Sequence, residues 1–307
     1  MSFRKFKYYF SNSLQVLIPN TIRKALAKNL VQASSIDSYI QDRVDYYNKL
    51  NAQFELPESE STHVGEYKKT GGTTYYFDLH KVVKSFPSQC FFQFLNGDIR
   101  HIPEHPSFLK SRPIREDNQN SVLLKLNEIR HFQFVSDSKQ FRNKKDMTAW
   151  RGVGYQKHRQ DVIKQFYNHP LCNIGQTQPS KGEPWEKGFM SVEEQLEYKF
   201  LLAIEGNDVA TNLKWAMSSN SLVIMSKPKY ETWFMEGRLK AGIHYVEVAD
   251  DYSDLIEKME YYIAHPEEAE SIIKNAHAWV DQFRDQKRER LISLLVAKKY
   301  FEKSGQM

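Results

Sequence analysis

The stretch from Tyr198 to Met225, YKFLLAIEGNDVATNLKWAMSSNSLVIM, constrains this chain more than any other. It opens with an apolar run, Phe200 to Ile204, of a length that suits a strand buried on both faces. Glu205-Gly206-Asn207-Asp208 breaks the run, and Asp208 is placed to cap a helix over Val209–Ser218. Asn220 ends that helix, and Ser221–Met225 supplies a second apolar strand. Strand, tight loop, helix and strand make a βαβ unit, whose crossover is expected to be right-handed. The loop after the first strand then lies at the carboxyl edge of the sheet. The helix N-terminus directs N–H groups and its positive dipole end into that space. A nucleotide diphosphate is a natural occupant; a purely structural βαβ unit fits the same pattern.

At about 100–200 residues per domain, a chain of 307 residues is expected to form two. Hydrophobic residues make up 40% and aromatics 13%, which allows substantial cores and excludes a disordered chain. The two cysteines, Cys90 and Cys172, lie far apart in or beside apolar runs and are expected as buried free thiols in a reducing compartment. No CxxC, HExxH or other metal-ligand spacing is present. No apolar run approaches the ~18 residues of a membrane span, and the N-terminus lacks a signal peptide's apolar core. A cytosolic placement is expected.

The net charge of +5 is unevenly spread. Residues 1–30 carry Arg4, Lys5, Lys7, Arg23, Lys24 and Lys28 with no acidic residue, interleaved with Phe3, Phe6, Tyr8, Tyr9, Phe10, Leu14, Leu17 and Ile18. Such a terminus suits an anionic membrane surface, and equally a helix docked on the protein with a solvated basic face. No nucleic-acid-binding motif accompanies the charge.

Along the chain, helices are expected at Ser13–Leu30, broken or started at Pro19, and at Ile36–Leu50. Strand-like runs occur at Thr74–Leu79 and Cys90–Leu95. The three prolines between His101 and Arg115 imply an extended loop. A helix of the type LLKLNEIR and a strand HFQFV (131–135) follow. Next come a strand ending at Arg151-Gly152, a helix Arg159–Asn168, a strand Leu171–Ile174 and the helix SVEEQLEYK. After the central unit come the strand HYVEV (244–248) and three closing helices near 254–264, 266–283 and 284–301. Alternating strands and helices in both halves argue for two α/β domains, divided at the polar break Gln140–Asp146.

Several groups could carry chemistry. Asp98 follows the run FFQFLNG, either as a carboxylate at a sheet edge or as a turn former beside Asn-Gly. Arg151, Gly152 and Arg159 offer two guanidiniums around a glycine turn, suited to a diphosphate or to surface ion pairs. Lys110 and Arg112 form a basic patch in a rigid loop. Glu231 could hold a ribose diol, or serve as a helix cap or salt bridge. Asp250 and Asp251 read better as capping residues than as a metal pair.

Together the pieces FLNGDIRHIPEHPSFLKSRPI (94–114), WRGVGYQKHRQDVI (150–163), YKFLLAIEGNDVATNLKWAMSSNSLVI (198–224) and YETWFMEGRLKAGIHYVEVADDYSDLIEK (230–258) occur in a telling order. They resemble glycosyltransferase family 90, which includes lipopolysaccharide-modifying proteins and is similar to fungal capsule-associated proteins and animal protein O-glucosyltransferases. The resemblance covers about residues 90–283. It implies an α/β fold with two Rossmann-like domains of the GT-B type facing a central cleft, with extra terminal helices. Residues 1–143 would bind the acceptor, 144–290 the nucleotide sugar, and helix 291–307 would pack back on the first domain.

It further implies inverting transfer of a hexose, glucose or galactose, from a UDP-sugar to a lipopolysaccharide or lipooligosaccharide core, without metal or other cofactor. Position by position, Asp98 matches the general base. Arg151, Gly152, Arg159, Glu205, Gly206, Asn207, Asp208, Val209, Ala210, Thr211, Asn212, Lys214 and Glu231 fall on the donor side, Lys110 and Arg112 on the acceptor side. Asn212 stands where the animal enzymes carry arginine, so Lys214 or the helix N-terminus is expected to contribute more to the diphosphate. The expected partners are a UDP-sugar, a lipid-linked saccharide and the inner membrane surface, approached peripherally from the cytoplasm, and no nucleic acid. A protein O-glycosyltransferase and a non-catalytic saccharide- or nucleotide-binding protein on the same fold are the alternatives.

Overall fold

The computed structural model describes residues 3–179 and 181–307. The chain divides into two compact units. The first takes the chain up to Arg130, then Tyr230–Phe234 and everything from Phe283; the second takes His131–Lys229 and Met235–Gln282.

The first unit begins with α1 (Phe3–Val16) and α2 (Asn20–Gln32). Pro19, with ψ of 142°, starts the second helix and cannot continue the first. Asp37 caps α3 (Ser38–Tyr47) by accepting the Ile40 N–H at 2.8 Å. The short β1 (Thr62–His63) precedes α4 (Thr73–Val83). The strand expected over Thr74–Leu79 is therefore a helix. Leu79, Val82 and Val83 recur at helical spacing and are all buried, which outweighs the β-prone TTYYF at its start.

Next come β2 (Phe91–Phe94), β3 (Ser107–Leu109), β4 (Ser111–Pro113), β5 (Ser121–Leu123) and the one-turn α5 (Glu128–His131). The proline-rich segment thus holds two short strands. The LLKLNEIR helix is replaced by β5 and a single turn, because Val122, Leu123 and Leu124 are buried in succession, as in a strand covered on both faces. β2, β3 and β5 run parallel, and β1 pairs antiparallel with β2.

The second unit holds β6 (Lys145–Gly152), α6 (Lys157–Phe166), β7 (Cys172–Gln176), α7 (Val192–Gln195), β8 (Tyr198–Leu202), α8 (Leu213–Met217) and β9 (Leu222–Ser226). It starts at His131, ahead of the polar break expected near 140–146. Residues beyond 131 are already tied in: the Val135 N–H donates to the Ser218 hydroxyl at 2.9 Å, and the Asn220 N–H to Asp137 at 2.8 Å. The run HFQFV is irregular.

β10 (Tyr230–Thr232) returns to the first unit and pairs antiparallel with β4. β11 (Val246–Val248), α9 (Leu255–Ala264) and α10 (Pro266–Asp281) complete the second, and α11 (Gln286–Lys303) ends the chain in the first. α11 buries Leu291, Ile292, Ser293, Leu294, Leu295, Val296 and Ala297 in succession, so its middle is enclosed on every side between charged ends.

The sheet of the second unit has the order β11-β9-β8-β6-β7, and every pairing in it is parallel. One side of it packs Trp150, Phe200, Leu202, Ile224 and Val246 into the core. The fold is α/β with parallel sheets. Cys90 and Cys172 are free and buried, and burial pushes the Cys172 thiol up to about 12. Among the described residues no helix is long and apolar enough to cross a membrane.

Candidate functional site

Because the five strands of the second unit run the same way, the loops after β6, β8, β9 and β11 gather at one edge. In chain order the strands lie 2-1-3-4-5, so the topological switch falls between β6 and β8, where open α/β sheets form their ligand crevice. Arg159, in the first turn of α6, stands there. Its Nη1 donates to the Val153 carbonyl at 3.0 Å, just past β6. Its Nη2 and Nε donate to the carbonyls of Ile204 (2.7 Å) and Glu205 (2.8 Å), just past β8. The guanidinium also lies over the Trp150 ring, 5.4 Å from its centroid.

Two glycines permit this approach. A Cβ at Gly206 would lie 3.3 Å from Arg159 Nη2, and one at Gly152 would lie 2.6 Å from the Trp150 ring. α6 starts without a side-chain cap, and Lys157, His158 and Arg159 fill its first turn, where acidic residues are ordinarily favoured. An uncapped, cationic helix N-terminus stabilises an anion. His158 Nε2 lies 2.8 Å from the Glu205 carbonyl oxygen. Lys229, after β9, gives its backbone N–H to Glu205 Oε1 at 3.0 Å and its ammonium to Asp250, after β11, at 2.9 Å. Tyr155, His158 and Lys229 were not singled out in the sequence; the signal was the Gly152-Val153-Gly154 turn directly after a strand.

Arg151 behaves differently. Trp150 and Arg151 are consecutive on β6 and so point to opposite faces of the sheet. Arg151 donates to the Asn173 carbonyl and Oδ1, both at 2.7 Å, and to the carbonyls of Trp150 (2.9 Å) and Gly188 (3.2 Å). The two arginines expected around one diphosphate are thus not brought together. Of the two, Arg159 reaches the loop after β8.

That loop also departs from expectation. α8 spans five residues, not the ten expected over 209–218, and Asp208 does not cap it. The Asp208 carbonyl instead accepts the Gly206 N–H at 3.0 Å, folding 206–208 into an irregular turn, and Asp208, Val209 and Ala210 are buried. Asn207 donates to the Tyr155 hydroxyl at 3.4 Å. Thr211 and Asn212 are half-buried, and the Asn212 amide donates to the Leu202 carbonyl at 2.7 Å. Lys214 is fully buried and pairs with Glu236 at 2.5 Å. The cation expected to compensate for Asn212 is therefore committed to a carboxylate inside the core.

In the first unit, Asp98 lies four residues past β2, and its side chain is about a third exposed, at 32%. The buried Lys110 ammonium donates to its Oδ1 at 2.6 Å. Lys110 thus holds a carboxylate in place rather than standing open in a basic patch. Arg112 and Glu231 were expected on the acceptor and on a ribose. Both are buried, and Arg112 Nε donates to Glu231 Oε1 at 2.7 Å across β4 and β10. Arg112 Nη2 donates to the Tyr46 carbonyl (2.7 Å) and Nη1 to the Ser121 carbonyl (3.0 Å), while the Tyr46 hydroxyl donates to Glu231. This is a structural ion pair, the alternative kept open for Glu231.

α1 is docked on one face, as the second reading of the basic terminus expected. Tyr8 donates to Asp78 of α4 at 2.8 Å, and Asn12 is buried, so one face is docked. The opposite face presents Phe3, Phe6, Phe10, Leu14 and, just beyond, Leu17, each more than half exposed. Among the described residues no group of three or more His, Cys, Asp or Glu side chains is arranged to hold a metal ion.

Residues 122–288 match the sequence family described as Glycosyl transferase family 90. The chain is 44% identical to an O-glucosyltransferase LpsA of Dichelobacter nodosus over 303 residues, covering 97% of this chain and 95% of the relative. It is 26% identical to human Protein O-glucosyltransferase 3 over 170 residues, 53% of this chain and 33% of the human protein. An uncharacterized protein, 179R, of Invertebrate iridescent virus 6 is 34% identical over 94 residues, 28% of this chain and 8% of the viral protein.

Proposed function

Because this chain belongs to glycosyl transferase family 90, we propose that it moves a hexose from a UDP-sugar to a lipid-linked saccharide, with inversion at the anomeric carbon. Glucose is favoured by the name of the Dichelobacter nodosus relative, and a lipopolysaccharide core is the acceptor we propose with it. The observation that carries the donor half of this reading is the switch point between β6 and β8, where Arg159 and the uncapped start of α6 face the loop after β8. Growing charge on the leaving diphosphate is met there by a guanidinium and N–H dipoles. We assign the reaction no metal: activity should persist in excess EDTA, and loss that Mn²⁺ restores would overturn that assignment.

Asp98 is the base in this scheme. A sugar hydroxyl ionises too weakly to attack alone, so a carboxylate takes its proton as the bond to the anomeric carbon forms and the bond to UDP breaks. Asp98 is accessible, and Lys110 fixes one of its oxygens. The exposed apolar stripe of α1, with Arg4, Lys5 and Lys7 on the same helix, suits the cytoplasmic face of a membrane holding the acceptor. A protein acceptor is the second reading, favoured by the name of the human relative.

The test is UDP release from a panel of UDP-sugars, with and without purified core saccharide. Release that depends on the saccharide and falls by orders of magnitude in Asp98→Asn, with UDP affinity unchanged, supports the scheme. Activity within a few-fold of wild type in that variant removes Asp98 from it.

A further inference from the structure

The first unit contains a cavity of about 380 Å³ that none of the residues assigned above to donor, acceptor or base lines. Leu26, Leu30 and Leu294 form its apolar wall, Arg23, Lys81 and Arg290 its cationic one, and none of its lining residues is acidic. Lys81 is committed, pairing with Asp78 at 2.8 Å and Glu128 at 3.3 Å. The two arginines are not fully used. Arg23 is 8% exposed; its Nε donates to the Ile18 carbonyl at 3.1 Å, and its Nη2 is enclosed without a partner. Arg290 Nη2 donates to the Ser85 hydroxyl at 3.0 Å, and its Nη1 is likewise enclosed without a partner.

Enclosed charged donors are ordinarily paired, because desolvation without an acceptor is unfavourable. Here both belong to arginines that line one cavity. Burial and the nearby Arg23 charge push the Arg290 guanidinium down to about 10. Burial and the same Arg23 charge lower Lys84, and with Lys84 they lower His80, to about 4. The adjoining cavity does hold carboxylates, Asp78, Glu128 and Glu289, but these pair with Lys81, Lys125 and Arg43. The chain supplies this cavity with cationic donors and with no anion of its own.

We propose that the cavity binds a phosphate-bearing ligand, whose phosphate oxygens accept from the guanidiniums of Arg23 and Arg290 while its apolar portion lies along Leu26, Leu30 and Leu294. Leu26 is 60% exposed, so the mouth reaches the surface. A phospholipid headgroup and a soluble phosphomonoester share this chemistry. The proposal stands apart from the transferase reading, and its test needs no turnover.

Full-length protein is titrated with inorganic phosphate by calorimetry and thermal shift, and separately with phosphatidylcholine vesicles with and without phosphatidic acid. Saturable binding is expected in the wild type and should weaken at least tenfold in Arg290→Met. That variant should melt no lower than wild type without ligand, since it removes an enclosed, unpaired charge. Arg23→Met is the companion variant; should it fail to fold, Arg290→Met decides alone. Phosphatidic acid-dependent binding that phosphate competes away, and that Arg290→Met loses, assigns the ligand to lipid. Phosphate binding without vesicle preference assigns it to a soluble phosphate. Absence of both in the wild type, or equal affinity in Arg290→Met, overturns the proposal.

Discussion

The Lys214–Glu236 pair allows a quantitative test of what the central helix does. Both side chains are buried, at 0% and 1% exposure, and the charges lie 2.5 Å apart. With an effective dielectric of ~20, their attraction is roughly 6–7 kcal/mol, much of which offsets the loss of hydration of two ions. Removing one partner takes the counter-ion from an enclosed charge. Glu236→Leu and Lys214→Met are each expected to destabilise the protein by about 3–5 kcal/mol. For a unit of roughly 150 residues, that lowers Tm by about 6–20 °C at ~2–4 °C per kcal/mol. The double variant Lys214→Met with Glu236→Leu should return to within ~1–2 kcal/mol of wild type, because apolar replacement of a whole buried pair is often near neutral. Calorimetric melting of the four proteins gives the coupling directly, and UDP titration at a temperature where all are folded gives the functional arm. Additive losses in the double variant would refute the pairing. A Lys214→Met protein that melts like wild type yet loses UDP affinity would return Lys214 to the diphosphate.

Three further outcomes can be measured. Arg159→Ala should weaken UDP binding by roughly 1.5–3 kcal/mol, whereas Arg151→Ala should lower Tm and leave UDP affinity within a few-fold, by titration calorimetry. Phe6→Asp with Phe10→Asp, both on the exposed face of α1, should abolish salt-sensitive cosedimentation with anionic liposomes; retained binding would make that face irrelevant to membranes. His80 is held near 4, against an ordinary 6.5, by burial and the charges of Arg23 and Lys84. The unfolded chain therefore binds more protons than the folded one between these values, and stability falls as pH drops from 6.5 toward 4. His80→Gln should flatten that part of a Tm-against-pH curve.

What was legible in the sequence is what short-range pattern encodes. The apolar runs around 198–204 and 221–226 are strands β8 and β9, paired in parallel at Phe200↔Leu222, as the βαβ reading required. The closing helices follow their 3.6-residue pattern. Failures came where tertiary contact overrides local preference. The β-prone TTYYF became the start of α4, because Leu79, Val82 and Val83 further on are buried at helical spacing. Asp208 looked like a cap, yet its backbone closes a turn with Gly206, and Asn212 anchors the loop to Leu202.

The charged site residues were recognised as types but not as partners. Arg112 and Glu231 lie 119 positions apart, and no sequence spacing announces that they neutralise each other. Arg151 and Arg159 looked like one clamp because they are close in sequence; the alternation of a strand separates them. Arg159 was found for a partial reason, since the strand order that puts it at the switch point is a property of the whole sheet.

The five residues Tyr230–Phe234 have a bearing on how the polypeptide is made. They belong to the first unit although the chain on either side belongs to the second. They bring Glu231 to Arg112, and Trp233 to stack on Tyr47 with ring centroids 3.8 Å apart. Another interior cation of that unit, Arg43, waits longer, for Glu289, 246 positions downstream. On a ribosome, which delivers residues from the N-terminus, neither arginine meets its counter-ion until most of the protein has emerged. The first unit therefore cannot complete itself as its first 130 residues appear, and its completion is deferred to the last steps of synthesis. The same discontinuity means that an early stop codon near residue 140 yields a fragment in which Arg43 and Arg112 lack the carboxylates of Glu289 and Glu231.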